Sequence, residues 1–324
     1  MDRFTFLNVL MEVAGILNES RKLFLKNKKL MFSVLVFPLL LNGLVFLFNV
    51  LTIKHEITNL ILEASLLPID PSAPDYISHL MRVFADFRQF VVSLDIFFVV
   101  SSIINLLSVV VIVHASALTH KDDNIIKIKD FPLLTLQSWK GPLVTSFYIF
   151  LFSLGYWCLF FIILYPILLF SIKFDSLPAK SGTLWIIVLW IMFVIFESYL
   201  AIVWNLSMVI SILEETYGIQ ALGKAAKIVK GIKPKLFLLN LFFGVLVFGL
   251  VQIVRLVDLR RSFAVTLTSG LVLVSLVFAV RMFQHVTYTV AYFQCNSFQG
   301  RDVESLRDVE YSKLSSSTLM GTLP

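Results

Sequence analysis

The stretch VWNLSMVISILEETYGIQALGKAAKIVKGIKPKLFLLN, residues 203–240, contains three changes of character in under forty positions. A strongly apolar run ends at Glu214-Glu215. A basic segment with apolar positions at helical spacing follows, and at Lys235 the chain becomes apolar again. Leaving a membrane, running along its surface and re-entering it requires this order. In residues 218–233, Ile219, Leu222, Ala226 and Val229 share one face, Lys224 and Lys227 the other, and Lys230 flanks them. A basic amphipathic segment beside a span attracts anionic lipid headgroups, so these three lysines are the candidate headgroup contacts.

Composition agrees with that reading. The 324-residue chain is 58% hydrophobic and only 15% charged, with 31 Phe. Soluble domains carry about 25% charged residues, so this chain has too little polar surface to cover a soluble core. Its helices must satisfy their own backbone groups in lipid. The fold expected is all-α, a polytopic membrane bundle of about six transmembrane helices with interfacial amphipathic helices.

Working outward, residues 3–20 predict an amphipathic helix, with Leu7, Leu10, Ala14 and Leu17 opposite Asn8, Glu12, Gly15 and Glu19. Residues 1–30 form a basic N-terminal segment, 31–295 the six-span domain, and 296–324 a polar tail expected to be disordered. Spans are predicted at 31–53, 91–118, 143–171, 183–213, 236–254 and within 264–293. Between the first two, 54–90 reads as a polar connection broken by Pro68, Pro71 and Pro74. Lys26-Asn27, Lys140-Gly141 and Lys230-Gly231 each precede an apolar run. They suggest three units in which a left-handed Asn or Gly ends a surface helix before a membrane hairpin.

Motifs of chemistry are sparse. Gly218–Ala225 nearly matches GxxxxGK[ST], but Ala225 replaces the magnesium-binding hydroxyl and an apolar span replaces the preceding strand. Two cysteines and five scattered histidines give no disulfide framework, metal site or cofactor site. The lysines flank spans and form no nucleic-acid arm. Polar residues inside the spans are the remaining candidates: Asn105, Glu197, Asn205, Arg281 and His285. Glu197 and Arg281 fall at similar depth, and a buried ion pair between them is expected.

The segments at 16–30, 205–233 and 288–298, ILNESRKLFLKNKKL, NLSMVISILEETYGIQALGKAAKIVKGIK and YTVAYFQCNSF, resemble an uncharacterised family of plant multipass membrane proteins. The middle segment is more remotely similar to the membrane domain of some bacterial glycerophosphodiester phosphodiesterases. The first resemblance implies a six-span bundle. The second implies no hydrolytic activity, because those enzymes carry it on a separate soluble domain for which this chain has no room. The expected role is therefore non-enzymatic: structural, lipid-associated or adaptor, in the plasma membrane or endomembranes, with the bilayer and its anionic lipids as partners. The alternative is a transporter or channel built on the polar residues within the spans.

Orientation follows from Lys and Arg. The N-terminal segment holds six, 119–142 four, 214–235 five and the tail three, eighteen against eight on the other side. Both termini are placed in the cytoplasm. Glycosylation acceptors introduced singly into 54–90 are expected to be modified, and those in 121–130 or the tail to stay unmodified. Modification of the tail acceptor overturns the orientation.

Overall fold

A computed structural model describes residues 3–68, 70, 74–121, 139–173, 179–214, 216–258 and 262–319. The chain forms α1 (Arg3–Lys26), α2 (Lys28–Ser65), α3 (Tyr76–Lys121), α4 (Lys140–Lys173), α5 (Ala179–Leu213), α6 (Ile219–Asp258) and α7 (Phe263–Leu319). Among the described residues there is no strand. Helices α2 to α7 are each long and apolar enough to cross a membrane, giving the six spans expected. Residues 122–138, which hold the start of the middle repeat, lie outside the described residues.

The expected polar connection over 54–90 is a correction: most of it is helix. Helix α2 ends at Ser65 and α3 begins at Tyr76; Pro68 and Pro74 lie between them, where proline supplies no N–H for a helix, and Pro71 lies outside the described residues. Polar contacts accompany the packing of this pair. Ser93 Oγ donates to Glu56 Oε1 at 2.6 Å, and His79 lies 3.8 Å from Glu63. The helix continues through 54–65 because its polar groups can pair across the hairpin.

The repeat pairs do not end helices through a left-handed residue. Asn27 caps the start of α2, its side chain accepting from Leu30 N at 3.4 Å. Gly141 is inside α4, and Gly231 precedes a kink at Ile232 (φ −129°, ψ 24°). That kink adjoins Pro234, which supplies no N–H and crowds the preceding turn. Gly218 is the one described glycine with positive φ, at 65°. Backbone helix also continues to Leu319, where the tail composition suggests disorder; Pro is absent from that stretch until Pro324.

Packing is uneven along the bundle. The fully buried side chains Met31, Val110, Val113, Leu206, Val209, Val286 and Tyr288 gather near one end, with α1 and residues 219–239. We call it the basic end, for Lys26, Lys28, Lys29, Lys224, Lys227 and Lys230. Away from it, α4 and α5 expose Phe150, Leu159, Ile162, Trp190 and Ile195, as lipid-facing surface does. Cys158 is exposed there too.

Helix α1 turns a different face inward from the one predicted. Val13, Ile16, Ser20 and Leu23 are buried against the other helices, whereas Leu7 and Leu10 stay exposed. The helix is apolar on more than one side, and contact with α6 and α7 selects the stripe that packs best. Lys235 meets Glu12 at 2.6 Å, and Gln294 donates to Glu19.

This asymmetry gives a direct test. Leu206→Ala, in the packed layer, is expected to cost about 2–5 kcal/mol by opening a cavity. Ile195→Ala, exposed among the spans, should change stability by less than about 0.5 kcal/mol. Unfolding of the two variants in mixed micelles measures the contrast, and equal losses would place the core elsewhere.

Candidate functional site

A cavity of about 560 Å³ lies among α2, α3 and α7. It is lined by Asn42 of α2, by Ser101, Asn105 and Ser108 of α3, and by Arg281 and His285 of α7. Leu273, Val274, Val277 and Phe278 supply an apolar stretch of wall. Ser101, Asn105 and Ser108 stand at i, i+4 and i+7, so the helical period places them on one face. That spacing is the signal by which Ser101 and Ser108 could have been found with Asn105.

Depth can be judged from the parallel run of α3 and α7. His120 stacks on Phe293 with centroids 4.5 Å apart, which sets the two helices in register near the basic end. Arg281 lies twelve residues before Phe293, roughly 18 Å down its helix at 1.5 Å per residue. It is thus well inside the span. An isolated charge there costs about 2.5–3.5 kcal/mol on insertion scales.

The expected Glu197–Arg281 ion pair does not form among the described residues. On α5, Ile202, Leu206, Val209 and Ile210 face the core, and Glu197 is two and a half turns from Leu206, on the other side of the helix. It falls one turn from Phe193, which stacks on Tyr156 of α4 at 4.3 Å. The Glu197 carboxylate is within electrostatic reach of that tyrosine. Position along a helix says nothing of azimuth, and azimuth separates these two residues.

Asn205 joins a different group. Tyr288 OH donates to Asn240 Oδ1 at 3.5 Å, Gln284 Nε2 to the same oxygen at 3.4 Å, and Asn240 Nδ2 to Ser198 O at 3.3 Å. Asn205 reaches the Tyr288 hydroxyl as well. These groups satisfy one another between α5, α6 and α7. Of the five polar candidates, then, Asn105, Arg281 and His285 share the cavity, while Asn205 and Glu197 do not.

At the basic end, residues 219–231 form a helix whose buried stripe is Ala221, Ala225 and Val229. Ile219 is 60% exposed, so the apolar face lies about one position away from the one predicted. A helix with Ala225 fully buried provides no phosphate-binding loop. Gly218 brings the chain into this helix: its N–H donates to Thr145 Oγ1 at 2.9 Å, and a Cβ would stand 3.2 Å from the Tyr148 ring.

Glu214 precedes that turn and accepts hydrogen bonds from Lys224 and from Tyr292 of α7. Lys224 is therefore engaged, whereas Lys227 and Lys230 are exposed without an ion-pair partner among the described residues. Tyr292, Tyr288 and Gln284, missed in the sequence, recur every four residues on one face of α7. Desolvation alone would raise the Glu214 carboxyl, but hydrogen bonds from Lys224 and Tyr292 and the charge of Lys224 together hold it below its ordinary 4.5.

The family model described as Domain of unknown function (DUF8558) matches residues 1–311. It brings no link to plants or to glycerophosphodiester phosphodiesterases. No curated protein and no solved structure matches the chain.

Because the Glu214 pKa is lowered on folding, its contribution is present above about 4.5 and is lost as pH falls through the lower folded value. Thermal midpoints of the wild type should drop in that acidic window, and Glu214→Gln should flatten this part of the profile. An unchanged acid limb in the variant would show that the Glu214 contacts contribute nothing measurable.

Proposed function

We propose, for a chain that belongs to the DUF8558 family, a non-enzymatic integral membrane protein whose basic end faces the cytoplasm and holds anionic lipid headgroups. One observation supports this most. The helix of residues 219–231 is anchored by Ala221, Ala225 and Val229, which leaves Lys227 and Lys230 exposed beside the start of a span. Lysines so placed attract an anionic leaflet at roughly 1 kcal/mol each. Lys224, tied to Glu214, fixes the helix and lies beside Lys227 around a shallow hollow that also includes Gln220 and Gly223.

The charge asymmetry of eighteen to eight supports this orientation, with both termini in the cytoplasm. It fits the plasma membrane or the endomembranes alike. A transporter reading draws its support from the cavity around Arg281.

The test is lipid retention by the full chain. Native mass spectrometry of protein purified from mixed nanodiscs should find phosphatidylserine retained over phosphatidylcholine, with the preference reduced by salt. The double variant Lys227→Gln/Lys230→Gln should lose most of it. Equal retention of the two lipids, or a variant indistinguishable from wild type, rules the reading out.

A further inference from the structure

Arg281 and its surroundings carry a second inference, independent of the basic end. The groups facing the guanidinium are neutral on every wall: Asn42 from α2, Ser101, Asn105 and Ser108 from α3, His285 on its own helix. The cavity therefore carries an unbalanced positive charge deep in a span.

Its donors divide into used and unused. Ser108 Oγ donates its one hydrogen to Ile104 O at 2.6 Å, and one of the two Asn42 Nδ2 hydrogens goes to Pro38 O at 2.9 Å, so these are used within their own helices. Asn105 and Arg281 are exposed at the cavity with no such bond among the described residues. The Nδ1 of His285 is a buried ring nitrogen without a hydrogen-bond partner. A forked guanidinium beside a free amide matches an anionic oxygen group, which accepts from both.

The remaining wall states what else the ligand carries. From Arg281 back to Leu273 the α7 side of the cavity is apolar, through Val274, Val277 and Phe278, over roughly 12 Å of helix. Toward the basic end the cavity is closed, since Val110, Val113 and Val286 are fully buried. A ligand seated here has its charged end at Arg281 and an apolar body directed away from the basic end. The volume lies within the roughly 300–1,000 Å³ usual for small-molecule sites.

We propose that this cavity binds a single-chain anionic amphiphile, a carboxylate or phosphate headgroup on an acyl chain, with Arg281 and Asn105 as its recognising donors. The open side, where Asn105 and Arg281 are exposed, lies within the spans and admits the ligand from the hydrocarbon.

The experiment is equilibrium binding to the purified full-length protein in an uncharged detergent. Oleate and oleoyl lysophosphatidate are compared with oleoyl lysophosphatidylcholine, with acetate and inorganic phosphate as chain-free competitors. Saturable binding of both anionic amphiphiles is expected, with little of the zwitterionic one. Arg281→Gln should weaken binding by at least about tenfold, and the Lys227→Gln/Lys230→Gln protein should bind as wild type does, which separates this site from the basic end. Because Arg281 has no ion-pair partner among the described residues, Arg281→Gln should keep the wild-type melting profile. If it does not, Asn105→Trp, which fills the open side, takes its place and should abolish binding. Undiminished binding in the folded variant, or equal binding of lysophosphatidylcholine, overturns the proposal. Competition by acetate or phosphate at the concentration of the chain-bearing ligands overturns its amphiphile part and leaves a site for small anions.

Discussion

Glu214 is the acidic group on which α5, α6 and α7 converge, through Tyr292 on one side and Lys224 on the other. In lipid, apolar side chains gain little by leaving one apolar surroundings for another, so helices associate through close packing and polar contacts. Both are concentrated at the basic end. The contacts of Glu12 with Lys235 and of Glu19 with Gln294 extend the same junction to α1. The layer containing Leu206, Val209 and Val286 then packs beneath it. Farther along the spans, polar links are fewer and the large apolar side chains face outward.

The contrast between a tied base and looser upper spans explains where a cavity can exist. A layer with Val110, Val113 and Val286 fully buried leaves no room for a guest. Above it, α2 and α7 approach closely at Gly43 and Gly270, facing Leu271 and Phe46, and the space around Arg281 lies between them and α3. Glycine has a packing reason at these two places. A Cβ on Gly270 would come within 2.7 Å of the Phe46 ring.

Number and position of the spans were legible because each is an apolar run bounded by charge, and that property needs no knowledge of neighbours. The same one-dimensional reading failed where azimuth mattered. Glu197 and Arg281 share depth but face different helices, and α1 packs with Val13 and Ile16 inward while Leu7 remains exposed. The connection expected at 54–90 is mostly helix, because its three prolines fall between α2 and α3 while its charged residues lie largely within those helices. Asn105, Arg281 and His285 were visible as polar interruptions. That they meet, and that Asn205 does not join them, follows from contacts between residues far apart in sequence.

The α2–α3 hairpin has one more effect. Its first helix has 38 residues, roughly 57 Å at 1.5 Å per residue, against about 30 Å of hydrocarbon. Beyond the first span it still exposes Ile61 and Leu62, and α3 opposite exposes Ile77, Met81 and Phe84. A pair this long and this apolar is mismatched with a thin bilayer, and it relieves the mismatch by tilting or by drawing thicker lipid around itself. The cost is a fraction of a kcal/mol for each ångström, but it acts on every copy, so the hairpin works as a ruler held against the thickness of the lipid around it.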